Sequence, residues 1–293
     1  MHIGFIGFGL IGGSIARAVR ANETSSAWTM RAWTPSGAGP ERALAEGVID
    51  AAAGSAEGAL ADADLVVLAG PATACLSALD DLAGRWRAAI PPDAVITDVA
   101  STKAALLDRA DAATLRYVGG HPMAGLDASG YAAGRADLFV DRPWVIVPGR
   151  LAGPEDIERV ATLAQACHAR IVRMDAASHD RAVAGISHLP LLLAAALVEA
   201  VAGSSRTTSP DDWPVAQSLA ASGWRDMTRL ARGDPEMGAA IAATNATALA
   251  DRLRDVRTVL DEWLAALERP GVPDEAAIAE RLRAARDRLE DPG

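Results

Sequence analysis

The first fourteen residues, MHIGFIGFGLIGGS (residues 1–14), determine the class of fold. The apolar run IGFI predicts a buried strand, and glycines follow it in the spacing GxGxxG. In that motif Gly7 permits a tight turn, Gly9 lets the backbone approach a pyrophosphate, and Gly12 lets a helix pack against the strand. The helix would begin at Leu10 and Ile11, whose backbone N–H groups are then available to phosphate oxygens. These five residues predict a dinucleotide-binding turn.

Short apolar runs alternate with helical patterns along the first part of the chain. Strands are predicted for DLVVLA (64–69), AVITDV (94–99), WVIV (144–147) and RIVRM (170–174). These runs lack alternating polar residues, which is typical of strands covered on both faces. The layout predicts an α/β fold, with a Rossmann-type doubly wound sheet in an N-terminal domain of residues 1–173.

Residues 174–293 are richer in Ala, Leu, Arg and Glu and predict an all-helical C-terminal domain. Asp175 is a good N-cap for a helix that runs to about Gly203 and is kinked at Pro190. A loop with the sequence GSSRTTSPDDWP (203–214) follows that helix. Further helices are expected over about 215–232, 235–267 and 273–289.

The segment 189–201 is aliphatic or alanine at nearly every position. A helix that is apolar all round must be buried on all sides. An interface between two copies of the chain buries such a helix more easily than one small domain can. The sequence therefore favours a homodimer that associates through the C-terminal helices.

The overall charge limits the classes of partner. Thirty-eight acidic and 28 basic side chains give a formal charge of −10, which repels nucleic acid and anionic membranes. No uncharged apolar run approaches the roughly 20 residues that a membrane crossing needs. Cys75 and Cys167 are too few for a disulfide framework and are predicted to be small buried apolar residues. We expect a soluble cytoplasmic protein with no nucleic-acid or membrane partner.

The end of the second strand bears on cofactor preference. An NAD site usually carries Asp or Glu about 20 residues after the glycine turn, for the ribose 2′-hydroxyl. Here the chain has Thr34, Pro35 and Ser36 and no carboxylate. Small hydroxyl residues can accept a 2′-phosphate, with Arg31 or Arg42 as its charge partner. The sequence favours NADP, and use of NAD remains open.

Two polar clusters follow neighbouring predicted strands. Asp98, Ser101 and Lys103 lie in DVASTK (98–103), and His121 lies in GGHPMAG (119–125). His121 stands between a double glycine and a proline, which predicts a loop. Because the carboxyl ends of parallel strands form the ligand site of open α/β sheets, we expect the serine, lysine and histidine to converge there.

The motifs resemble a known family. GFGLIGGS (7–14), DVASTK, GGHPMAG, ISHLP (186–190) and GWRDMTRLA (223–231) occur in the order and at about the spacing of the prephenate/arogenate dehydrogenases of tyrosine biosynthesis. GGHPMAG is the most specific of them, and the resemblance extends from Gly4 to about Asn245. It implies a Rossmann-type domain followed by a helical dimerisation domain.

The resemblance also implies a reaction, the oxidative decarboxylation of a cyclohexadienol. A hydride leaves the hydroxyl-bearing ring carbon for the nicotinamide, a proton leaves the hydroxyl, and the opposite carboxylate departs as CO₂ to give an aromatic ring. Such an enzyme needs a base near the hydroxyl, cations or hydrogen-bond donors for the carboxylates, and an adjacent nicotinamide.

The resemblance assigns roles to residues of both domains. His121 is the base, because imidazole titrates near neutral pH. Ser101 hydrogen-bonds and orients either His121 or the substrate hydroxyl, and it borders the cofactor. Arg229 binds a substrate carboxylate through its planar guanidinium. Arg225 is the alternative arginine, and Asp226 shares a predicted helical face with Arg229 and presets it.

Three more polar residues are predicted to be in the substrate site. They are His188 of the SHLP motif, Lys103, and Asp180, which matches a polar position that the family contributes across the dimer. His179 and His188 are nine residues apart on one predicted helix and should face opposite sides. They therefore cannot share a metal, and no metal site is expected.

Two positions bear on substrate preference. Many prephenate-using members have histidine after SHLP, where this chain has Leu191, and tryptophan where it has Gly238. Both features resemble the cyanobacterial-type arogenate dehydrogenases. Because arogenate carries an ammonium group in place of a keto oxygen, loss of a potentially cationic histidine favours arogenate.

Several alternatives remain open at this level. Within the family they are a prephenate dehydrogenase or dual-specificity cyclohexadienyl dehydrogenase, whose product would be 4-hydroxyphenylpyruvate, and an amino-deoxyprephenate dehydrogenase of secondary metabolism. A β-hydroxyacid or imine dehydrogenase usually relies on a lysine in its helical domain, and this chain has none after Lys103. A nucleotide sensor would need neither His121 nor Arg229.

Overall fold

The structure is a computed structural model that describes residues 1–25, 27–126, 128–203 and 213–290, so most of the predicted loop at 203–214 lies outside it. The strands are β1 (His2–Ile6), β2 (Thr29–Trp33), β3 (Ala51–Ala52), β4 (Leu65–Leu68), β5 (Val95–Asp98), β6 (Val118–Pro122), β7 (Pro143–Pro148) and β8 (Arg170–Arg173). The α-helices of the first part are α1 (Leu10–Ala21), α2 (Ala38–Ala45), α3 (Ala56–Leu60), α4 (Ala72–Ala83), α5 (Ala104–Ala112) and α6 (Pro154–Ala166). Those that follow are α7 (Ala176–Val183), α8 (Leu189–Ala202), α9 (Trp213–Ser218), α10 (Ser222–Thr228), α11 (Pro235–Thr244), α12 (Ala246–Leu267) and α13 (Glu275–Glu290).

Five parallel strands form the main sheet in the order β3-β2-β1-β4-β5. Alternate side chains of β1 enter different apolar clusters. Ile3 and Phe5 pack with Ile15 of α1, whereas Ile6 packs with Leu79 of α4. Both faces of the sheet are therefore covered, as the uninterrupted apolar runs predict. The predicted Rossmann-type doubly wound domain is confirmed.

The second sheet, in the order β6-β7-β8, corrects the predicted loop around His121. His121 lies within β6, where it pairs with Val145 of the antiparallel strand β7. A bridge from Ile96 to Tyr117 sets β6 parallel to β5. The double glycine permits this approach, because a Cβ on Gly120 would lie 2.5 Å from the backbone oxygen of Asp98. The glycines thus bring two strands together.

The first long helix of the C-terminal part is interrupted. Asp175 caps α7 as predicted, accepting a 2.8 Å hydrogen bond from the backbone N–H of Ser178. A π-helix at Ala184–His188 then separates α7 from α8, and Pro190 lies in the first turn of α8. Proline lacks an N–H, and a widened turn directly before it is one way to relieve the lost hydrogen bond.

Two other helices that were predicted to be continuous are broken. The predicted helix 215–232 consists of α9, α10 and a 3₁₀ turn at Arg229–Arg232, with extended backbone at Ala221. Trp213 of α9 and Trp224 of α10 pack with ring centroids 5.5 Å apart, so tertiary packing sets this break. The predicted helix 235–267 is divided at Asn245, whose side chain is engaged in the site described below.

The chain divides into two compact units, Met1–Leu249 and Ala250–Gly293. Within the second unit, the guanidinium of Arg281 lies 4.3 Å from the ring centre of Trp263 and pairs with Glu262 at 2.8 Å. The predicted domain boundary at residue 173 stays a prediction.

The helical stretch Ala176–Ala202 is long and apolar enough to cross a membrane by length and composition alone. Only 22% of its apolar window is buried within the chain. Core and interface helices of soluble proteins share this composition, and this stretch carries the ionisable pair His179 and Asp180 in its second turn. Most of its apolar window is therefore exposed in the single chain.

Candidate active site

The glycine turn between β1 and α1 has the geometry of a phosphate site. Gly7 has φ of +87°, in the left-handed region that favours glycine, and a Cβ there would lie 2.8 Å from the backbone of Ala69. A Cβ on Gly12 would lie 3.0 Å from the Cβ of Ala69, so Gly12 allows α1 to pack closely on the end of β4. A Cβ on Gly9 would meet nothing within 4 Å, which leaves open space beside the turn.

The N-terminus of α1 faces that open space. Gly9 is the N-cap residue, no side chain caps the helix, and its first turn contains no acidic residue. The backbone N–H groups of Leu10 and Ile11 are therefore available, and the helix dipole favours an anion there. These residues fit the pyrophosphate of a dinucleotide.

The residues after β2 fit a ribose or a ribose phosphate less completely than the glycine turn fits a pyrophosphate. Thr34 Oγ1 accepts a 3.0 Å hydrogen bond from the N–H of Gly37 and lies 3.5 Å from Ser36 Oγ. The guanidinium of Arg31 donates to the carbonyl of Ala61, which lies just before the amino end of β4. Arg31 is therefore directed away from the carboxyl ends of the strands, where a phosphate would bind. Arg42 pairs with Glu46 at 2.8 Å and remains largely exposed.

The buried carboxylate of Asp98 holds the carboxyl end of β5 next to β6. Asp98, at the end of β5, accepts hydrogen bonds from the ammonium of Lys103 and the hydroxyl of Tyr117. The same carboxylate accepts from the backbone N–H of Ala100 at 2.8 Å and of Gly120 at 3.3 Å. The side chain of Lys103 is fully buried against Asp98, and its predicted contact with substrate stays a prediction.

Tyr117 was not identified from the sequence, although it is one of only two tyrosines and begins the segment that leads to His121. Burial and the neighbouring Asp98 raise the pKa of Tyr117 well above its usual value, so the phenol stays protonated and donates. The hydroxyl is thus a structural donor beneath the site.

His121 is connected to the helical part by a chain of hydrogen bonds. Its Nδ1 lies 2.8 Å from Nε2 of His179, and Nδ1 of His179 lies 2.7 Å from Oδ1 of Asp180. Asp180 also accepts from the backbone N–H groups of Lys103 at 2.8 Å and Ala104 at 2.9 Å, at the start of α5. The carboxylate of Asp180 thus caps a helix of its own chain, and its predicted contribution across a dimer stays a prediction.

His121 has a ring nitrogen without a partner among the described residues, whereas both ring nitrogens of His179 are hydrogen-bonded. Nε2 of His121 takes no hydrogen bond from any residue in the described part of the chain. Burial, followed by the charge of Lys103 and the two neighbouring histidines, His179 and His188, holds the pKa of His121 well below its usual range. His121 is therefore neutral near pH 7, and Nε2 can accept a proton.

His188 is held by Asn245. The amide nitrogen of Asn245 donates to the carbonyl of Asp180 at 2.8 Å and lies 3.1 Å from Nδ1 of His188. Nδ1 of His188 is thus an acceptor, and its buried Nε2 carries the proton without a partner among the described residues. Burial lowers the pKa of His188 to about 4, opposed by Asp180 and by the backbone of Ser101.

The prediction that His179 and His188 face opposite sides is wrong. Both lie close enough to His121 to lower its pKa. The nine-residue spacing gives opposite faces only in a regular α-helix, and the π-helix at Ala184–His188 takes less rotation per residue. The interruption therefore turns both imidazoles towards the same strand end.

Ser101 lies between β5 and α5, beside His188, and is partly exposed. No hydrogen bond joins it to His121 in the described ranges, where His179 takes Nδ1 instead. Both predicted functions of Ser101, orienting His121 and contacting the substrate hydroxyl, stay predictions. The next residue, Thr102, bonds to Thr244 of α11 at 2.8 Å and ties this turn to the helical part.

The remaining predicted substrate residues lie on the helical part. Arg225 and Asp226 are exposed on α10, and Arg229 is exposed in the 3₁₀ turn that follows. The pKa of His121 is influenced by neither arginine. Leu191 and Gly238 are brought together, since a Cβ on Gly238 would lie 3.4 Å from Cδ2 of Leu191.

Metal and thiol chemistry receive no support from the described residues. Within those ranges no group of three or more His, Cys, Asp or Glu side chains could hold a metal ion. Both cysteines are buried, and burial raises the pKa of the Cys75 thiol to about 12. That thiol is protonated and unreactive near pH 7.

The fold and the site together define a class: a Rossmann-type nucleotide-binding domain followed by a helical domain, with a buried histidine at the ligand-binding edge of the sheet. Residues 15–173 match the family model for the nucleotide-binding domain of prephenate dehydrogenase, and residues 175–280 match that for its dimerization domain. The chain belongs to the prephenate dehydrogenase family of oxidoreductases.

Individual relatives agree with this assignment. The chain is 33% identical to the prephenate dehydrogenase of Bacillus subtilis over 94% of its own length and 71% of that protein. It is 31% identical to the cyclohexadienyl dehydrogenase of Zymomonas mobilis over 92% and 86% of the two chains. The crystal structure of Synechocystis arogenate dehydrogenase superposes with a TM-score of 0.78 at 32% identity, covering 99% and 100% of the two chains.

Proposed function

We propose that this protein converts arogenate to tyrosine by oxidative decarboxylation, with NADP as the hydride acceptor, in the cytoplasm. The observation that carries the proposal is the neutral imidazole of His121, whose Nε2 is unpaired among the described residues and lies at the ligand-binding edge of the sheet. A base is the group that this reaction requires at its hydroxyl. The family that the chain belongs to supports the reaction class.

In the proposed mechanism His121 removes the proton of the substrate hydroxyl at Nε2, and Ser101 orients that hydroxyl. The turn at Gly7, Gly9 and Gly12 holds the pyrophosphate of the dinucleotide. When bound, the nicotinamide accepts the hydride from the hydroxyl-bearing ring carbon. The substrate's ring carboxylate leaves as CO₂, its bonding electrons complete the aromatic ring, and the resulting phenolate oxygen takes the proton back from His121 to give the phenol.

The second substrate carboxylate is assigned to an arginine of the helical part. Arg229 is the proposed ligand because a guanidinium matches a planar carboxylate with two parallel hydrogen bonds. Arg225 is the alternative, and Asp226 is the proposed partner that orients the guanidinium. His188 is proposed to line the same site as a neutral donor, since its buried Nε2–H has no partner among the described residues.

Substrate and cofactor preference follow from two pairs of residues. Leu191 and Gly238 are neighbours and add no cation, which favours the ammonium group of arogenate over a site with histidine. Thr34 and Ser36 place hydroxyls and no carboxylate at the end of β2, which favours the 2′-phosphate of NADP. Arg42, which is largely exposed, is the proposed charge partner for that phosphate.

Other substrates within the same family are the alternatives. The similarity to a prephenate dehydrogenase and to a cyclohexadienyl dehydrogenase favours use of prephenate or of both substrates, with 4-hydroxyphenylpyruvate as the prephenate product. An amino-deoxyprephenate dehydrogenase of secondary metabolism would share the same base and arginine. Changes in a pocket lining shift specificity by only a few kcal/mol unless a polar group is stranded, so dual use is compatible with the site.

A homodimer through the C-terminal helices is also proposed. In α8 only Ala194 is buried within the chain, although the helix is almost entirely apolar. The second family model is that of a dimerization domain, and a second copy of the chain would cover this surface. No nucleic-acid or membrane partner is proposed, given the formal charge of −10.

The test is a kinetic matrix that combines arogenate and prephenate with NADP and NAD, followed at the absorbance of the reduced nicotinamide. The proposal expects the highest kcat/KM for arogenate with NADP. A higher value for prephenate with NAD would reject both preferences. Absence of turnover in all four combinations would reject the reaction itself.

A further inference from the structure

The hydrogen-bond chain from Asp180 through His179 to His121 fixes where each proton lies. The hydrogen bond between Asp180 and His179 is 2.7 Å long, and that between His179 and His121 is 2.8 Å long. All three side chains are buried. The rings of His121 and His179 meet edge to face, with centroids 5.1 Å apart and an angle of 73° between planes. Nδ1 of His121 and both ring nitrogens of His179 therefore each face one partner.

Asp180 determines which atom is the donor in each of these hydrogen bonds. Burial acts to raise the pKa of Asp180, but hydrogen bonds from His179 and from the amides of Ala104 and Lys103 lower it overall. A carboxylate only accepts, so Nδ1 of His179 must carry a proton. In a neutral imidazole the other nitrogen, Nε2, then holds a lone pair and accepts from His121.

The geometry points to a positioning function: we propose that His179 and Asp180 hold His121 as the Nδ1–H tautomer, so that the lone pair of Nε2 is directed at the substrate hydroxyl. This inference rests on the proposed function of His121 as the base. The opposite tautomer of His121 would require His179 to donate from Nε2. In its neutral form His179 would then present a lone pair to the carboxylate of Asp180, which is repulsive.

The same two hydrogen bonds stabilise the positive charge that forms on His121 during proton transfer. When the O–H bond breaks and its proton moves to Nε2, His121 becomes an imidazolium. Its Nδ1–H then donates more strongly to His179, and the carboxylate of Asp180 offsets the charge through that ring. Burial and the charges of Lys103, His179 and His188 all act to lower the pKa of His121. Asp180 provides an anion that offsets the imidazolium charge, whereas the carboxylate of Asp98 is paired with Lys103.

The test compares His179→Gln with His179→Leu. Glutamine keeps an acceptor near the position of Nε2, and leucine removes it at similar volume. We expect kcat/KM to fall by about 100-fold or more in His179→Leu, mainly through kcat, and by about 10-fold or less in His179→Gln. Thermal unfolding of both variants separates loss of folding from loss of orientation.

A second measurement does not depend on activity. Nitrogen-15 spectra of histidine-labelled protein distinguish Nδ1–H from Nε2–H imidazole, and the signal of His121 is assigned by its loss in His121→Asn. We expect the Nδ1–H form in the wild type and in His179→Gln, and a tautomer mixture in His179→Leu. An Nε2–H form in the wild type, or equal kinetic losses in both variants, would overturn the inference. The expected spectra without turnover on any substrate would reject the proposed function and leave the tautomer assignment standing.

Discussion

At the scale of single residues, burial and hydrogen bonding give three similar imidazoles different functions. His121 has a free Nε2 in the described part of the chain, His179 is bonded at both nitrogens, and His188 is fixed by Asn245. The sequence identifies His121 and His188 through their motifs. It does not identify His179, because its importance comes from its distance to His121 and not from its neighbours in the chain.

The base assignment predicts a selective defect in His121→Asn. Turnover should fall by at least about 100-fold, while the affinity for the dinucleotide stays near that of the wild type, because proton removal is lost and the glycine turn is untouched. Cofactor affinity is measured by calorimetric titration. His168→Asn is the matched control, since His168 is exposed and its φ of +56° suits asparagine. Retention of most activity in His121→Asn would exclude His121 as the base.

The open space at Gly9 predicts a binding defect without a folding defect. In Gly9→Ala the new methyl group meets no protein atom within 4 Å, so thermal stability should change little. The methyl group would occupy the space proposed for the pyrophosphate, and dinucleotide affinity should fall by about 10-fold or more. Gly54→Ala, which also meets nothing within 4 Å, is the control. Equal affinities in the two variants would place the dinucleotide elsewhere.

The lowered pKa of His188 predicts loss of stability in acid. In the folded protein its pKa is about 4, against 6.5 for a free imidazole, so the unfolded chain binds the proton more readily. The contribution of His188 is complete above about pH 6.5 and is lost as the pH falls towards 4, by up to about 3 kcal/mol. Urea unfolding across this range should show a smaller pH dependence in His188→Gln. An unchanged slope would contradict the assignment.

At the scale of elements, interruptions of helices position the site. The π-helix at Ala184–His188 turns His179 and His188 towards β6, and the break at Asn245 lets its amide reach Asp180 and His188. The sequence predicted the starts of α7 and α11, since capping and proline signals are local. The break at Asn245 was missed because it depends on partners 57 or more residues away in the chain.

The junction between α11 and α12 predicts the cost of removing Asn245. Asn245→Ala leaves the carbonyl of Asp180 and Nδ1 of His188 buried without their donor, which should cost about 1–3 kcal/mol of the free energy of unfolding. Urea denaturation measures this cost. Thr247→Ala, two residues later and exposed, should change the same quantity by less than about 0.5 kcal/mol. Similar values for both variants would show that the Asn245 bonds contribute little.

At the scale of the whole molecule, the exposed apolar surface of the helical part is the basis of the proposed dimer. The described chain leaves Leu219 76% exposed and Ile186 73% exposed, and α8 contributes little to the interior of its own chain. Exposed apolar side chains of this kind on a protein with a net charge of −10 are typical of an interface between copies.

The proposed dimer predicts a mass of twice 30.2 kDa in sedimentation equilibrium. Leu197→Lys places an ammonium group on α8 and should shift the protein towards the monomer, because an unpaired charge in an apolar interface is poorly solvated. Leu44→Lys on α2, at a leucine that is 44% exposed, should leave the mass unchanged. A monomeric wild type would reject the dimer.

The sequence by itself determined the doubly wound sheet, the glycine turn, the helical second part and the family, because strand hydrophobicity, turn glycines and motif order are local properties of the chain. Only the tertiary structure decided that His121 lies in a strand, that Lys103 is buried against Asp98, and that His179 and Asp180 stand behind His121. These facts depend on which distant groups satisfy each buried donor and acceptor, and that choice is made when the elements pack together.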